Sequence, residues 1–248
     1  MILNPKPLVF AHRGASGYEY ENTIPAFEMA YEMGADGLET DAWILADGEV
    51  VLHHDKAIEV KQTGEHINIS TLNLKELKSL TLPNNTKVPT LREFLEKFAF
   101  RTTKAGKPLE FSIDLQDLKV GAAMVPILRE FKVIDRVLLC ANSMIPLKKV
   151  RALDPEVRLV ASNQHDQIKP EFFGPTGKFT PTNLYAFNIK GNDFTPEMKE
   201  NLIKLGLKCF IWDLHHEDCL RKYLAFAPSV IYSNYPDLAL KIRAELFN

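Results

Sequence analysis

Short apolar runs that fit β-strands alternate with segments that fit α-helices along most of the chain. The strand-like runs are Leu8–Ala11, Gly37–Ala42, Leu109–Ile113, Arg136–Cys140, Val157–Ala161, Leu184–Ile189, Leu207–Trp212 and Ser229–Tyr232. Helix-like or mixed segments lie between most of them, and one more follows the last run. Eight such repeats in 248 residues predict an α/β fold, a (β/α)8 TIM barrel, as a single domain over residues 1–248. A doubly wound open sheet stays possible, because counting strands does not establish closure.

An insertion follows the second predicted strand. Asp47-Gly48 lies between two short apolar runs, and both residue types tolerate the positive φ of a tight hairpin turn. The chain from there to residue 87 is largely polar and irregular, with one weak helix near Leu74–Leu80. A loop of this length in a compact domain is usually functional or disordered. We therefore predict that residues 47–87 form an inserted hairpin and lid.

The composition is that of an ordinary globular protein, with 46% apolar residues, 25% charged residues and a net charge of −2. A nucleic-acid-binding surface usually has a basic face, which this balance does not favour. No apolar run approaches the ~20 residues of a membrane span, and no secretory signal is visible. Cys140 and Cys209 lie in apolar runs, where a buried reduced thiol is the default, and Cys219 has no obvious partner. We expect a cytoplasmic protein that acts on a small molecule, with its oligomeric state left open.

The predicted hairpin brings polar residues together. If the chain folds back at Asp47-Gly48, Asp41 lies opposite His54, and Glu39 lies on the same face because side chains alternate along a strand. Carboxylate oxygens suit Mg²⁺ or Ca²⁺, and an imidazole beside such an ion can carry a proton. A surface ribbon with polar decoration explains this stretch equally well.

The carboxyl ends of the strands, where a TIM barrel has its active site, carry further polar and aromatic residues. In chain order the residues at these ends are His12, Arg13, Glu39, Asp41, Asp114, Gln116, Trp212, Asp213, Ser233 and Asn234. Glu39, Asp41 and Asp114 can supply three oxygen ligands to one divalent cation. Arg13 can bind a phosphate through two parallel hydrogen bonds. The cation would offset the charge that builds on phosphoryl oxygens.

Two histidines could supply the proton transfers that cleavage of a phosphate diester needs. His12 and His54 can flank the phosphorus, one accepting a proton from the attacking hydroxyl and one donating a proton to the departing oxygen. Gln116 and Trp212 are candidate substrate contacts, and Trp212 also fits a barrel-lining role. His53 is expected to point away from the site by strand alternation.

Structural explanations exist for several of these residues. Glu39 and Asp41 could cap loops or pair with Arg13. His215-His216-Glu217 and His165-Asp166 resemble metal pairs, but neither has a third ligand at a useful spacing, so we expect solvated loops there.

A set of motifs in this order resembles the glycerophosphodiester phosphodiesterases. The motifs are His12-Arg13-Gly14, Glu21-Asn22-Thr23, Glu39-x-Asp41, Asp47-Gly48, His54-Asp55, Val88-Pro89-Thr90-Leu91 and Ser233-Asn234-Tyr235-Pro236-Asp237. The resemblance is dense from Leu8 to about Leu95, and the motifs are specific only as a set.

The resemblance implies a TIM barrel with an insertion after its second strand. It also implies hydrolysis of deacylated phospholipids to sn-glycerol 3-phosphate and an alcohol, assisted by Ca²⁺ or Mg²⁺. By the same match His12 and His54 would be the acid–base pair, Glu39 and Asp41 metal ligands, and Arg13 a phosphate contact. The attacking group would be the glycerol hydroxyl of the substrate, giving a cyclic phosphate that water then opens.

Other residues match the family less simply. Glu21 and Asn22 resemble a family motif that braces the site. The family usually has Glu and Lys where this chain has Asp114 and Gln116, so a positive charge near the phosphate is lost. Ala141-Asn142 stands where a Ser-Phe pair is common. These departures put the choice of substrate in question more than the reaction.

Two other functions therefore stay open. An Asp as third ligand is similar to the sphingomyelinase D-like lipases, so a lysophospholipase D or sphingomyelinase D-like phospholipid hydrolase is one alternative. The polar insertion argues against the acyl-chain channel that such an enzyme needs. A non-catalytic phosphate-binding barrel is the other alternative.

Overall fold

The computed structural model describes residues 6–61, 63–163, 168, 179 and 182–247. The strands are β1 Leu8–Ala11, β2 Gly37–Ile44, β3 Val50–Leu52, β4 Ala57–Glu59, β5 His66–Asn68, β6 Glu110–Leu115, β7 Val137–Ala141, β8 Arg158–Ser162, β9 Ala186–Lys190, β10 Lys208–Trp212 and β11 Val230–Ser233. The helices are α1 Ile24–Met33, α2 Leu74–Ser79, α3 Leu91–Phe98, α4 Val120–Glu130, α5 Met144–Leu153, α6 Pro196–Lys204, α7 Glu217–Ala225 and α8 Pro236–Phe247.

The main sheet closes on itself. Its nine strands follow the order β1-β11-β10-β9-β8-β7-β6-β2-β3, and β1 also pairs with β2. Within this sheet only the β2–β3 pairing is antiparallel. The eight strands other than β3 therefore form a closed parallel ring. The predicted (β/α)8 barrel is thus confirmed, and the open sheet is excluded.

Side chains that point inward fill the barrel below its mouth. This interior cluster consists of Phe10, Leu138, Cys140, Val160, Ala186, Phe210, Val230 and Tyr232. The rings of Phe10 and Phe210 pack edge-on against Tyr232, with centroid distances of 5.8 Å and 6.2 Å. Because side chains alternate along a strand, inward positions nearer the carboxyl ends lie above this layer and face the mouth.

Threonine side chains cap the starts of two helices. The Thr23 side chain caps α1, and Pro25 occupies its first turn. Thr90 and Glu93 form a reciprocal capping box at the start of α3, which satisfies two backbone N–H groups that the helix cannot pair internally. Among the described helices, none is long and apolar enough to cross a lipid bilayer.

The segment after β2 builds a small apolar core of its own. The chain leaves the barrel at β2, forms the antiparallel β4–β5 pair and α2, and rejoins the barrel at a bridge between Val51 and Thr90. The buried residues of this second cluster are Trp43, Leu45, Val51, Ile58, Ile69, Leu72, Leu77, Leu82 and Val88. The segment is therefore more ordered than its polar sequence predicted, although the weak helix was located correctly.

The hairpin register differs from the predicted one by one residue. Gly48 has a φ of +90°, and Leu45 N donates to Glu49 O at 2.9 Å, so the loop contains three residues, 46–48, instead of two. The extra residue places His53 beside Asp41, with His53 N donating to Asp41 O at 2.9 Å. The prediction that His54 lies opposite Asp41 is therefore wrong.

Candidate active site

The loop after β1 is tightly folded and carries two of the predicted site residues. Gly14 has a φ of +80°, and a Cβ there would lie 2.7 Å from the backbone carbon of Ala26 in α1. Glycine is thus required both by the backbone conformation and by the close approach of the helix. Arg13 also has a positive φ of 56°. This turn places His12 and Arg13 in the wall of the mouth pocket.

Three acidic side chains converge beside this loop. Glu39 and Asp41 come from β2, and Asp114 is the register partner of Asp41 on β6. Each offers an oxygen within 4.8 Å of the others, and Glu39 and Asp41 are 4% and 3% exposed. The pKa of Asp114 is raised to about 7, mainly by burial and then by the neighbouring charge of Asp41. Burial and the Asp41 charge raise the pKa of Glu39 as well.

This cluster fits a hard divalent cation. Buried carboxylates this close repel one another unless protons or a positive charge compensate them. Oxygen-only donor sets are those that Mg²⁺ and Ca²⁺ prefer. Glu39, Asp41 and Asp114 can therefore hold a metal ion, and its identity is not fixed by the donor set.

The arginine at the site is held by carboxylates on two sides. Arg13 Nη1 donates to Glu21 at 3.0 and 3.1 Å, and its backbone N–H donates to Glu39 Oε2 at 2.7 Å. Its Nε lies 3.4 Å from Asp41 Oδ2. That Nε is buried, and no residue within the described ranges accepts a hydrogen bond from it. The guanidinium is thus held against the acid cluster by Glu21 and Asp41.

Asn22 links the two loops around the acids. It is 1% exposed and has a φ of 55°, a conformation that favours glycine. Its Nδ2 donates to Asp41 Oδ2 at 3.1 Å, its Oδ1 accepts from Thr40 Oγ1 at 2.6 Å, and its backbone N–H donates to Arg13 O at 3.0 Å. The predicted bracing pair, Glu21 and Asn22, thus contacts Arg13 and Asp41 directly.

The two predicted histidines line the same pocket from different loops. His12 Nδ1 is 2.7 Å from Asn234 Oδ1. Because an amide oxygen accepts, Nδ1 carries the proton and Nε2, 3.9 Å from Glu39 Oε2, is left as an acceptor. Burial and the charge of Arg13 lower the pKa of His12 to about 4. His54 Nδ1 is 2.7 Å from Asp55 Oδ1.

His53 occupies a different environment. It is 7% exposed, and its Nε2 lies 3.4 Å from the carbonyl oxygen of Ala57. It does not line the mouth pocket. His54 reaches the pocket because both histidines follow the end of β3, where strand alternation no longer decides direction.

The mouth pocket has a volume of about 550 Å³ and divides into a charged half and a neutral half. The charged half is lined by His12, Arg13, Glu39, Asp41, His54, Asp114 and Gln116. The neutral half is lined by Asn142, Ser162, Asn163, Asn188, Trp212 and Tyr232. All of the predicted catalytic, metal-binding and substrate-contact residues are thus brought to one pocket.

Several pocket residues were not assigned a role from the sequence. Ser162 and Asn188 lie at or near the carboxyl ends of β8 and β9, and strand position was the signal that could have found them. Asn188 was hidden because apolar residues flank it on both sides. Asn234 was noted at a strand end, but its contact with His12 joins the first and last strands and cannot be read from local sequence.

Two other motifs, His215-His216-Glu217 and His165-Asp166, resemble metal-binding pairs in the sequence. His215 Nε2 lies 2.6 Å from Asp213 Oδ1, and Lys190 Nζ lies 3.2 Å from the other oxygen of that carboxylate. His215 therefore pairs with a carboxylate that lies outside the His215-His216-Glu217 motif. His165-Asp166 lies outside the described residues.

Comparison with known proteins gives consistent matches over nearly the whole chain. A glycerophosphodiester phosphodiesterase of Caldanaerobacter subterraneus subsp. tengcongensis is 25% identical over 244 residues, covering 96% of this chain and 98% of the relative. A glycerophosphodiester phosphodiesterase structure from Parabacteroides distasonis has a TM-score of 0.79 at 22% identity, with 97% and 98% of the two chains covered.

A second solved structure is a phosphodiesterase of Oleispira antarctica in complex with the product sn-glycerol-3-phosphate. Its TM-score is 0.81 at 21% identity, and 95% of this chain and 96% of that chain are covered. The sequence profile of the glycerophosphoryl diester phosphodiesterase family matches residues 12–238. With the barrel, the acid cluster and the two histidines at one mouth, the chain belongs to the glycerophosphoryl diester phosphodiesterase family.

Proposed function

We propose that this protein hydrolyses glycerophosphodiesters to sn-glycerol 3-phosphate and an alcohol, with assistance from a bound divalent metal ion. The observation that carries the proposal is the meeting of Glu39, Asp41 and Asp114 within 4.8 Å in a pocket that His12 and His54 also line. Family membership and the relatives' printed activity support the same reaction.

The environments of the two histidines give them different roles. His12 is neutral at pH 7 and presents an unprotonated Nε2, so it is the better proton acceptor at the start of the reaction. His54 donates its Nδ1–H to the Asp55 carboxylate, which fixes the orientation of the imidazole ring. We assign His12 as the general base and His54 as the general acid.

The proposed first step is an attack within the substrate. His12 Nε2 accepts the proton of the glycerol 2-hydroxyl, whose oxygen forms a bond to phosphorus. The bond from phosphorus to the alcohol oxygen breaks, and His54 donates a proton to that oxygen. Water then opens the cyclic phosphate as the two histidines exchange roles, which restores both protonation states.

Two charged groups would hold the phosphate during these steps. A divalent cation held by Glu39, Asp41 and Asp114 would offset the negative charge on the phosphoryl oxygens. Ca²⁺ and Mg²⁺ both suit such ligands. Arg13 binds the phosphate through guanidinium N–H groups that Glu21 leaves available.

The insertion supports the site from outside the barrel. We propose that residues 47–87 form the rim of a single catalytic domain, because His54 and its partner Asp55 belong to this segment. Their position depends on β3, which pairs with β2 next to the acids. We also retain the expectations of a cytoplasmic protein and a small-molecule substrate without a nucleic-acid partner.

Product analysis with matched variants tests the proposal. Purified protein is incubated with glycerophosphocholine or glycerophosphoethanolamine, and sn-glycerol 3-phosphate is measured with and without EDTA. We expect product formation that EDTA stops, that Mg²⁺ or Ca²⁺ restores, and that His54→Ala abolishes. Turnover that survives both EDTA and His54→Ala would contradict the mechanism.

The same assay separates the alternatives. Faster cleavage of a lysophospholipid than of its deacylated counterpart would favour the phospholipid hydrolase, but the described pocket lining is mostly polar. Tight binding of glycerophosphocholine without product after long incubation would favour a non-catalytic barrel.

A further inference from the structure

Three polar atoms in the neutral half of the pocket are buried and unpaired. They are Ser162 Oγ, Asn188 Oδ1 and Trp212 Nε1, and each lacks a hydrogen-bond partner within the described ranges. Ser162 is 2% exposed and Asn188 is 8% exposed. Native proteins rarely leave buried polar atoms unpaired, because the lost hydration is not replaced. Three such atoms around one pocket indicate that a ligand completes them.

These atoms lie on one continuous wall. Ser162 on β8 is the register partner of Asn188 on β9. Asn188 is in turn the partner of Phe210 on β10, and Trp212 follows two residues later, so its side chain lies on the same inward face. Ser162, Asn188 and Trp212 all line the pocket that contains the acids. We call these three residues the polyol wall.

The hydrogen-bonding capacity of the wall matches hydroxyl groups. An indole N–H only donates, an amide oxygen only accepts, and a serine hydroxyl does both. An anion would need donors alone, whereas an ammonium group would need acceptors or a carboxylate. A hydroxyl group both donates and accepts, so it pairs with all three atoms.

The other polar side chains that line the neutral half are uncharged. Asn142 and Asn163, which continue the same side of the pocket, bond to each other through Nδ2 and Oδ1 at 3.0 Å. The Lys190 ammonium lies 5.6 Å from the centroid of the Trp212 ring and 3.2 Å from Asp213, and neither charged residue lines the pocket. A cationic head group therefore meets no carboxylate among the residues that line the neutral half.

We propose that the polyol wall binds free hydroxyl groups of one arm of the diester and makes Ser162 and Asn188 specificity-determining residues. This inference rests on the proposed function, because the charged half of the mouth must first hold the phosphate. The hydroxyl groups can come from the glycerol arm or from a leaving alcohol that is itself a polyol.

Binding measurements without turnover test the wall directly. Calorimetry is carried out on His54→Ala protein with Ca²⁺ present, and the ligands are glycerophosphoglycerol, glycerophosphocholine and dipropyl phosphate. We expect dipropyl phosphate, which has no hydroxyl groups, to bind weakest. Adding Ser162→Ala or Asn188→Leu should lower the affinity for glycerophosphoglycerol about fivefold, as expected for one neutral hydrogen bond, and leave the affinity for dipropyl phosphate unchanged.

The ligands for which the variants lose affinity show which arm of the diester contacts the wall. If the wall binds the glycerol arm, the variants lose the same affinity for both glycerophosphodiesters. If the wall binds the alcohol arm, the variants lose affinity for glycerophosphoglycerol and keep their affinity for glycerophosphocholine. Equal affinity for all three ligands, or an equal loss for dipropyl phosphate in the variants, overturns the proposal. Ser143→Ala, an exposed serine just after β7, is the matched control and should change no affinity.

Thermal unfolding distinguishes a ligand-binding serine from a structural one. Because Ser162 Oγ is unpaired in the free protein, Ser162→Ala should melt at or above the temperature of the wild type. A clear loss of thermal stability would mean that the hydroxyl is needed for folding. Product formation by the wild type is measured separately. A protein that does not hydrolyse glycerophosphodiesters can therefore be distinguished from one whose wall does not bind hydroxyl groups.

Discussion

Gln116 Nε2 donates a 2.6 Å hydrogen bond to Oδ1 of Asp41. The other carboxylate oxygen of Asp41 accepts from Asn22 Nδ2 and lies 3.4 Å from Arg13 Nε. Asp41 is therefore fixed from both sides before any ligand binds. Gln116, predicted from the sequence as a substrate contact, lines the pocket and also orients an acid of the candidate metal cluster.

Gln116→Leu should weaken metal binding more than substrate binding. Loss of a partner that orients a metal ligand typically lowers metal affinity about 10- to 100-fold. We expect the Mg²⁺ or Ca²⁺ concentration for half-maximal activity to rise by at least about tenfold, with a nearly unchanged kcat at saturating metal. An unchanged metal titration together with a raised KM would instead identify Gln116 as a phosphate contact.

His53→Ala and His54→Ala form a matched pair of variants one residue apart. His54→Ala should lower kcat by about 10²- to 10⁴-fold, the usual contribution of a positioned proton donor, with little change in unfolding. His53 is buried, so His53→Ala should lower the free energy of unfolding by about 1–3 kcal/mol and retain most activity per folded molecule. Steady-state kinetics and urea unfolding check both variants, and the reverse pattern would contradict the assignment.

The barrel could be predicted from the sequence because its strands are buried on both faces. Such strands appear as short apolar runs, and their carboxyl ends are marked by the polar residues that follow, such as His12 after Ala11. The hairpin register could not be predicted with the same certainty. Asp-Gly fits both a two-residue and a three-residue loop, and the chosen loop decides whether His53 or His54 lies beside Asp41.

Contacts between residues distant in the chain could not be predicted from the sequence either. The unpaired state of Ser162 and Asn188 depends on which atoms surround them after the barrel closes. The second apolar core was missed because β4 and β5 are only three residues each, too short for a periodic pattern. Ile58 and Ile69 are fully buried there, although Glu59 follows the first and polar residues flank the second in the sequence.

Asn22→Ala should be strongly destabilising, because it removes side-chain hydrogen bonds to Thr40 and Asp41 and leaves a left-handed backbone at a non-glycine residue. We expect a loss of about 2–4 kcal/mol in the free energy of unfolding. Asn22→Gly is the control, since it removes the same side chain but adopts the backbone conformation readily. Asn22→Gly should therefore be more stable than Asn22→Ala by about 1 kcal/mol, and equal urea midpoints would argue against backbone strain.

The metal-free protein should show a pH-dependent stability that originates in Asp114. Its pKa is raised to about 7 from an ordinary value of 3.8, so the folded protein binds more protons than the unfolded chain between these values. Stability from this group is present below pH 4 and is lost as the pH rises through 7. Glu39, whose pKa is also raised, acts in the same direction. His12 acts oppositely, because its lowered pKa of about 4 makes stability rise with pH up to its ordinary value of 6.5.

Comparing the wild type with Asp114→Asn cancels the contribution of His12 and leaves that of Asp114 together with its effect on the pKa of Glu39. In EDTA, the melting temperature of Asp114→Asn minus that of the wild type should increase by several degrees between pH 4 and pH 8, because only the wild type acquires a buried charge at this position. Adding Mg²⁺ or Ca²⁺ at pH 8 should stabilise the wild type more than the variant, since a bound cation compensates the carboxylate. Thermal melts across this pH range, with and without metal, check both statements. A difference that stays constant with pH would mean that Asp114 is already ionised without metal, and that the acid cluster is compensated by Arg13 alone.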